Sequence, residues 1–233
     1  MTYIEERHDS GEAATNPHGS TDVDTFDHGV TSRFNAWFFG TFDWYFNHIL
    51  RLHKRSAFSD VTAARVVELG AGTGNNFAYL QPGTKIHAVE PNRRMYPRLR
   101  QAAERAGVEL NLQAGMAERI DLPDGSADEV ICTLVLCTVE DPEAVLCEVR
   151  RVLRPGGRFR FVEHVAADGP IRSVVQRRLR RPWGWLFEGC DPHRDTTRAL
   201  TQAGFTTVTI ERLMWQQSIF WPVNTAIWGI ATE

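Results

Sequence analysis

The residue types best suited to chemistry are concentrated in the stretch EGCDPHRD, residues 188–195. Cysteine, histidine and carboxylates can act as nucleophiles, general bases or metal ligands. Cys190 and His193 stand three positions apart. No second Cys/His pair elsewhere in the sequence has the spacing of a metal site, so we expect no metal here.

The same stretch also has the pattern of a turn followed by a helix. Asp191-Pro192 favours a turn, and Asp195 can cap a helix that continues through Leu200. We expect this structural role first. The alternative is that the reactive side chains line a binding pocket, with His193 as a candidate base. These side chains are Cys190, His193 and Arg194.

A second stretch, VVELGAGTGNN, places three glycines at alternate positions after a short β-branched run. Glycines after a strand allow a tight turn and a close approach between a ligand and the backbone. The dinucleotide fingerprint needs G-x-G-x-x-G, and a phosphate-binding loop needs a Lys-Ser/Thr pair. Neither pattern is present, so the spacing favours a nucleoside-type ligand without a pyrophosphate.

An acid stands at the end of the next apolar run, KIHAVE. Glu90 follows Gly70 by twenty positions, where a carboxylate can accept hydrogen bonds from both hydroxyls of a ribose. Ligands of open α/β sheets bind beyond the carboxyl ends of the strands. The residues predicted to lie near such ends are Gly70, Glu90, Met116, Leu134 and His164.

These residues belong to a pattern of alternating strands and helices. Short apolar runs, from RVVEL to GRFRFVEHV, alternate with helical stretches at 74–80, 92–106 and 142–153, the last stopped by LRPGG. The alternation predicts parallel βαβ units in a doubly wound α/β sheet. The runs FTTVTIERL and SIFWPVNTAIWGIA have no helix between them, so we expect an antiparallel hairpin at the sheet edge.

We predict one domain over residues 29–233, after a flexible polar segment at 1–28. Residues 29–58 are aromatic at helical spacing, and Gly40 interrupts the pattern, which leaves one helix or two short helices as alternatives. They form a packed helix, a lid over an apolar acceptor, or a membrane-surface helix. An arginine-rich insert at 167–203 would cap the site. The aromatic side chains predicted to reach a substrate are Phe34, Trp37, Phe38 and Tyr45.

The composition argues against several classes of protein. A net charge of −3 gives no indication of nucleic-acid binding. No apolar run is long enough to cross a bilayer, and the N-terminus lacks the apolar core of a signal peptide. The four cysteines have no CxxC spacing, which favours a cytoplasmic protein with free thiols.

In order along the chain, VELGAGTG, AVEPN, LPDGSADEVICTLVLCTV, RVLRPGG and FVEH resemble the motifs of class I S-adenosylmethionine-dependent methyltransferases. The resemblance covers about residues 65–165. It implies a Rossmann-like sheet of seven strands with an antiparallel last strand, and S-adenosylmethionine as the cofactor, its ribose held by Glu90. The other residues predicted to surround the cofactor are Glu68, Gly70, Ala71, Gly72, Gly74, Asn75, Pro91 and Leu134.

The family commonly has an acid after the third strand that binds the amino group of adenine. In this sequence Met116 stands at that position. Adenine would then depend on the backbone of Ala117 and on apolar contact with Met116, or on Glu118.

A closer resemblance narrows the substrate. CTLVLCTV, FEGCDPHRDTTRAL and FWPVNTAIWGIA are similar to the thiol S-methyltransferases, a group of microsomal alkyl thiol methyltransferases and bacterial relatives. This implies methylation of a small, partly apolar thiol, in detoxification or self-protection. The microsomal members have an anchoring helix where this chain is polar, so we expect a soluble bacterial relative with at most weak membrane association. The alternatives are O-, N- or C-methylation of a small natural product and N-methylation of a phospholipid.

The acceptor chemistry needs little help from the protein. Thiols ionise near pH 8.5, so a nearby base or a positive field is sufficient. His164, at the end of the predicted fifth strand, is the first candidate for the base, and His193 is the second. His164 could instead only hydrogen-bond within the core. Cys137 follows the fourth strand and is expected to pack near the same pocket, with acceptor contact as the alternative.

Overall fold

The computed structural model describes residues 29–215 and 223–233. Its seven strands are β1 (Arg65–Leu69), β2 (Lys85–Val89), β3 (Glu109–Gln113), β4 (Ala127–Thr133), β5 (Leu153–His164), β6 (Thr207–Met214) and β7 (Thr225–Thr232). They form one sheet in the order β3-β2-β1-β4-β5-β7-β6. Pairing is parallel from β3 to β5, and β7 is antiparallel to β5 and β6. The predicted Rossmann-like sheet with its antiparallel last strand is therefore confirmed.

Helices cover both faces of this sheet. The described α-helices are α1 (Val30–Phe58), α2 (Tyr96–Ala106), α3 (Pro142–Val152), α4 (Pro170–Leu186) and α5 (Thr196–Gln202). Helix α3 begins where Pro142 follows Asp141, whose carboxylate accepts hydrogen bonds from the backbone of Glu143 and Ala144, the pattern of a capped N-terminus. It ends at Val152, as LRPGG predicts, and β5 begins at once with Leu153.

Alternate side chains of β1 serve the two faces, as a strand requires. Val67 packs with Val145 and Val149 of α3 on one face. Val66 packs with Phe58 of α1 and Leu99 of α2 on the other. Each such burial stabilises the fold by roughly 1.5–3 kcal/mol, so the strands are fixed from both faces and their carboxyl ends form one edge.

Helix α1 is continuous, so of the two alternatives that Gly40 left open, the structure has the single helix. A glycine in a helix interior costs about 1 kcal/mol relative to alanine. Burial of Leu50, Ala57 and Phe58 against the sheet is large enough to outweigh that cost. The helical spacing of the apolar residues therefore determines that this segment is one helix, despite the glycine.

The prediction of a helix at 74–80 is wrong. The chain forms only a single 3-10 turn at Phe77–Tyr79. Gly74 has a φ of +79°, which no right-handed helix uses, and a Cβ there would lie 2.7 Å from Cβ of Ala102. The glycine therefore lets α2 pack closely under the loop, and the helical register is lost at that point.

A buried arginine joins α1 to the sheet. Arg160 of β5 is fully buried, and its Nη1 donates to Oδ1 of Asp60 at 2.6 Å and to the carbonyl of Ala57 at 2.7 Å. Its Nε donates to the carboxylate of Glu129 on β4. These contacts satisfy the guanidinium and hold the C-terminal end of α1 against two central strands.

The insert at 167–203 contains α4, a turn and α5. Residues 192–193 form the predicted turn, and Asp195 caps α5 by accepting a hydrogen bond from the backbone of Arg198 at 3.1 Å. In the described residues, every helix is too short or too polar to cross a membrane. The predicted flexible segment 1–28 and residues 216–222 of the last apolar stretch lie outside the described residues.

Candidate active site

A cavity opens at the carboxyl ends of β1, β2, β4 and β5, where the sequence predicts the site. Most of the predicted cofactor residues line it. They are Glu68, Gly70, Ala71, Gly72, Asn75, Glu90, Pro91, Met116, Ala117 and Leu134. His164 and Cys190 line the same cavity. Two predicted cofactor residues lie outside its wall: Gly74, which faces α2, and Glu118.

Glu90 connects the loops that follow β1 and β2. Its Oε2 accepts a hydrogen bond from the backbone of Gly72 and its Oε1 from that of Asn92, each at 2.7 Å. Burial raises the pKa of Glu90 to about 7, and these two hydrogen bonds oppose the rise. Each carboxylate oxygen keeps a second lone pair, which suits acceptance of hydrogen bonds from vicinal hydroxyls.

Glu68 has an unsatisfied oxygen beside the cavity. Its Oε1 accepts from Nδ2 of Asn76 at 2.8 Å, while its buried Oε2 has no hydrogen-bond partner among the described residues. Burial raises the pKa of Glu68 to about 8, and the charge of Lys54 opposes the rise. A buried carboxylate oxygen without a donor is costly, so this atom fits a ligand that brings an ammonium group.

Gly70 leaves room for the loop that follows β4. Its φ is +55°, and a Cβ at this position would lie 2.4 Å from Cγ2 of Val135. Only glycine tolerates both conditions. The backbone of the β1 loop and the side chain of Val135 thus share one wall of the cavity.

Two residues other than glycine adopt left-handed backbone in the described chain, Leu134 (φ +59°) and Glu188 (φ +46°). Both line the cavity. Such conformations cost about 1–3 kcal/mol and concentrate at functional sites. Glu188 accepts a hydrogen bond from Nδ2 of Asn92 at 3.2 Å, and burial followed by the charge of Glu90 raises its pKa to about 7.

Three potential ligand atoms meet on the β4 and β5 side of the cavity. Sγ of Cys137 lies 3.7 Å from Sγ of Cys190 and 4.0 Å from Nδ1 of His164, and the Cys190–His164 distance is 3.8 Å. The ring of His164 packs on Trp215, with 4.8 Å between ring centroids. Spacing along the chain did not predict this cluster, since the three residues come from separate loops.

His193 and Arg194 of EGCDPHRD contact neighbouring segments and do not line the cavity. Nε2 of His193 lies 3.0 Å from Oγ of Ser173 on α4. Arg194 donates through Nη1 to the carbonyl of Leu136 at 2.9 Å and to that of Val139. Both side chains hold the turn against its neighbours, and neither belongs to the cavity wall of the described residues. The structural role expected first for this stretch agrees with these contacts.

The aromatic face of α1 reaches the cavity through residues other than those predicted. Phe39, Ile49, Leu50 and Lys54 line it. Phe34 and Phe38 pack behind the wall against Phe187, with ring centroids 6.4 Å and 5.3 Å away. The predicted substrate residue Trp37 is 58% exposed, and Tyr45 is half-buried but does not line the cavity.

The wall contains further residues that the sequence analysis missed. Lys54 is buried. It is one of only two lysines in the sequence, and that rarity is a signal that could have identified it. Glu188 opens the stretch EGCDPHRD but was not proposed as a site residue. The remaining missed residues carry no signal of their own in a single sequence; they include Asn76, Thr133, Val135, Thr138, Trp183, Phe187, Trp215 and Val223.

Comparisons with known proteins agree with the fold and give the family. A SAM-dependent methyltransferase of Thermotoga maritima, described as a possible histamine N-methyltransferase, superposes with a TM-score of 0.61 at 20% identity, over 86% of this chain and 98% of that one. The family described as "Methyltransferase domain" matches residues 67–161. Thiol S-methyltransferase TMT1A of Homo sapiens is 32% identical over 88% of both chains. The chain belongs to the S-adenosylmethionine-dependent methyltransferases. Phosphatidylethanolamine N-methyltransferase of Cereibacter sphaeroides is a further relative of this methyltransferase, 29% identical over 67% of the chain and 79% of its own length.

The cavity of this methyltransferase fits its cofactor. The unsatisfied oxygen of Glu68 suits the ammonium of S-adenosylmethionine, Glu90 suits its ribose, and Met116 offers an apolar contact to adenine. Two buried acids, Glu68 and Glu90, and the half-buried Glu188 line the cavity, and each can pair with a cation once it is ionised. When bound, S-adenosylmethionine supplies a sulfonium methyl group that a nucleophile takes by in-line displacement.

Proposed function

We propose that this methyltransferase transfers a methyl group to the sulfur of a small, partly apolar thiol. The name and the 32% identity of human thiol S-methyltransferase TMT1A support the acceptor class. The observation that carries the proposal is the pairing of two sides in one cavity. The cofactor side consists of Glu68, Gly70, Gly72 and Glu90, and the acceptor side of His164, Phe187 and Cys190, with Cys137 packed behind them.

The acceptor side combines apolar walls with one titratable ring. Phe39, Trp183 and Phe187 provide aromatic surface, which excludes water and favours an alkyl or aryl thiol. His164 lies at the end of β5 among them and can take the thiol proton. A thiol of ordinary pKa needs no stronger base, so one imidazole supports S-methylation better than O-methylation of an alcohol.

A panel of matched acceptors tests this function. The purified full-length chain is incubated with radiolabelled S-adenosylmethionine and with benzyl thiol, benzyl alcohol, benzylamine or phenol at one concentration. We expect label in the benzyl thioether at a rate at least tenfold above the other acceptors. Labelling of the phenol, alcohol or amine without labelling of the thiol would contradict the proposal.

N-methylation of a phospholipid headgroup is the second candidate. The relative from Cereibacter sphaeroides supports it by name, and α1 exposes Trp37, Phe42, Trp44 and Leu52, a set suited to a membrane surface. Vesicles of phosphatidylethanolamine belong in the same panel for this reason. Label in lipid above that in benzyl thiol would make this the function. The cytoplasmic location expected from the sequence stays a prediction.

A further inference from the structure

Two of the four cysteines meet a histidine, and the other two do not. Cys147 is exposed on α3, and the thiol of Cys132 donates to Oε1 of Glu163 at 3.1 Å. Cys137 and Cys190, in contrast, converge with His164 so that their ligand atoms all lie within 4.8 Å of one another. The cluster joins three segments: the loop after β4, the end of β5 and the turn after α4.

The three distances match the edges of a metal coordination sphere. The sides of the triangle are 3.7, 3.8 and 4.0 Å, which places its centre about 2.2 Å from each corner. Zinc binds cysteine sulfur at about 2.3 Å and histidine nitrogen at about 2.0–2.1 Å. One ion at the centre would therefore reach all three atoms at bonding distance, with shifts of only tenths of an ångström.

The backbone holds the ligands in place from both sides. Asp191 donates its backbone N–H to the carbonyl of Cys137 at 2.7 Å, and Cys190 donates to the carbonyl of Phe187 at 3.0 Å. The backbone of Cys137 donates to Oε2 of Glu163 at 3.3 Å. The bond from Asp191 to Cys137 crosses between the β4 loop and the turn after α4, and the other two hold each cysteine within its own surroundings. The two sulfurs are therefore fixed relative to each other before any ion binds, as a preorganised site requires.

We propose that Cys137, His164 and Cys190 bind one zinc ion, with a fourth coordination position open to the acceptor side of the cavity. Two thiolates and an imidazole form a ligand set that suits zinc. Three protein ligands with one open position are the arrangement of catalytic zinc sites, whereas structural sites use four. His164 and Cys190 line the cavity and Cys137 lies behind them, so the open position faces the cavity.

The role of this ion rests on the proposed function. In the zinc-bound protein His164 is a ligand and no longer the base, so the acceptor thiol loses its proton to solvent as its sulfur coordinates the zinc, and the sulfur stays bound as a thiolate. A lone pair of that sulfur then forms the bond to the methyl carbon while the carbon–sulfonium bond breaks. The products are a thioether and S-adenosylhomocysteine, and no oxidant or reductant is needed.

Zinc content measured on matched cysteine variants tests the site itself. The full-length chain, Cys137→Ser, Cys190→Ser and the exposed control Cys147→Ser are purified under reducing conditions, loaded with zinc sulfate and desalted. We expect about one zinc per chain in the parent and in Cys147→Ser, and at least a tenfold lower content in the other two. Equal zinc content in all four proteins, or none in the parent, would overturn the site.

Cobalt substitution separates loss of the site from loss of the fold. Cobalt(II) in the parent and in Cys147→Ser should give a thiolate-to-cobalt charge-transfer band, and Cys190→Ser should lose it while its far-ultraviolet circular dichroism in EDTA matches the parent. The same band in Cys190→Ser would overturn the proposal. A disulfide between Cys137 and Cys190 that forms in the presence of zinc would also overturn the proposal, and it would be detected as the loss of two free thiols.

Activity after chelation distinguishes failure of the proposed zinc role from failure of the proposed function. A metal-free parent that methylates benzyl thiol at least tenfold more slowly than the zinc-loaded parent supports both proposals. Full thiol methylation by the metal-free parent overturns the role of zinc and leaves the proposed function intact. A parent that binds zinc as expected but methylates no thiol overturns the proposed function and leaves the site intact.

Discussion

The cofactor side and the acceptor side of the cavity are built in different ways. The cofactor side comes from two adjacent strand–loop units, residues 65–76 and 85–92, joined through Glu90. The acceptor side is assembled from three loops and two helices whose residues are tens of positions apart. The cofactor side can keep its geometry as long as one short local motif is unchanged. The acceptor side can change its shape through a substitution in any of several segments. A common methyl donor and variable acceptors are what this division permits.

The largest expected effect lies on the cofactor side. Replacing Glu90 by alanine removes the two hydrogen bonds expected to the ribose hydroxyls and releases the backbone of Gly72 and Asn92. We expect affinity for S-adenosylhomocysteine, measured by calorimetry, to fall about 100-fold, since two charge-assisted hydrogen bonds are lost. The exposed Glu140→Ala is the control. A loss below threefold in Glu90→Ala would remove this residue from the cofactor side.

The ligand-free protein should lose stability with rising pH through Glu68. The folded-state pKa of Glu68 is about 8, above its ordinary value, because of burial. The folded state therefore holds a proton that the unfolded state has released, so its stabilising effect is complete at acidic pH and declines as pH rises toward 8. We expect a loss of roughly 2 kcal/mol between pH 6 and 8 in denaturant unfolding. Glu68→Gln should flatten this dependence, and an equal slope in both proteins would contradict it.

Cofactor affinity should show the opposite pH dependence through Glu90. Binding of the ribose favours the carboxylate form, and the pKa of Glu90 is about 7 in the ligand-free protein. We expect S-adenosylhomocysteine to bind about tenfold more weakly at pH 6 than at pH 8. Glu90→Gln should bind weakly with a smaller pH dependence. An unchanged affinity of the parent across this range would show that Glu90 carries no proton at pH 6.

The smallest expected effect, that of Phe187→Leu, should change acceptor binding without changing cofactor binding. Phe187 packs among Phe34, Phe38 and Trp183 at the acceptor side, so Phe187→Leu changes the shape of that wall with little loss of volume. We expect a KM for benzyl thiol raised about fivefold, with the affinity for S-adenosylhomocysteine unchanged within twofold. A parallel loss of both would mean that the two sides are one mechanical unit.

The same contrast explains what the sequence could predict. Gly70 and Glu90 were predicted because strand register and short-range spacing determine where they lie, whereas Glu68 was predicted from the resemblance to the methyltransferase motifs. The cluster of Cys137, His164 and Cys190 could not be predicted, because its members meet only after the loops have closed over β4 and β5. Periodicity likewise predicts an aromatic helix at 29–58 but not which of its faces meets the domain. For this reason Trp37 was predicted at the substrate, whereas in the structure Phe39 lines the cavity and Trp37 is exposed.

The most direct test of sulfur as the acceptor atom uses one molecule that offers two. The acceptor 4-mercaptophenol carries a thiol and a hydroxyl on the same ring, so binding and access are shared and only the acceptor atom differs. The full-length chain is supplied with this compound and with S-adenosylmethionine labelled with ¹³C in the methyl group, and carbon NMR distinguishes S–CH₃ from O–CH₃. We predict label on sulfur alone. Label on oxygen would contradict thiol methylation as the function of this protein.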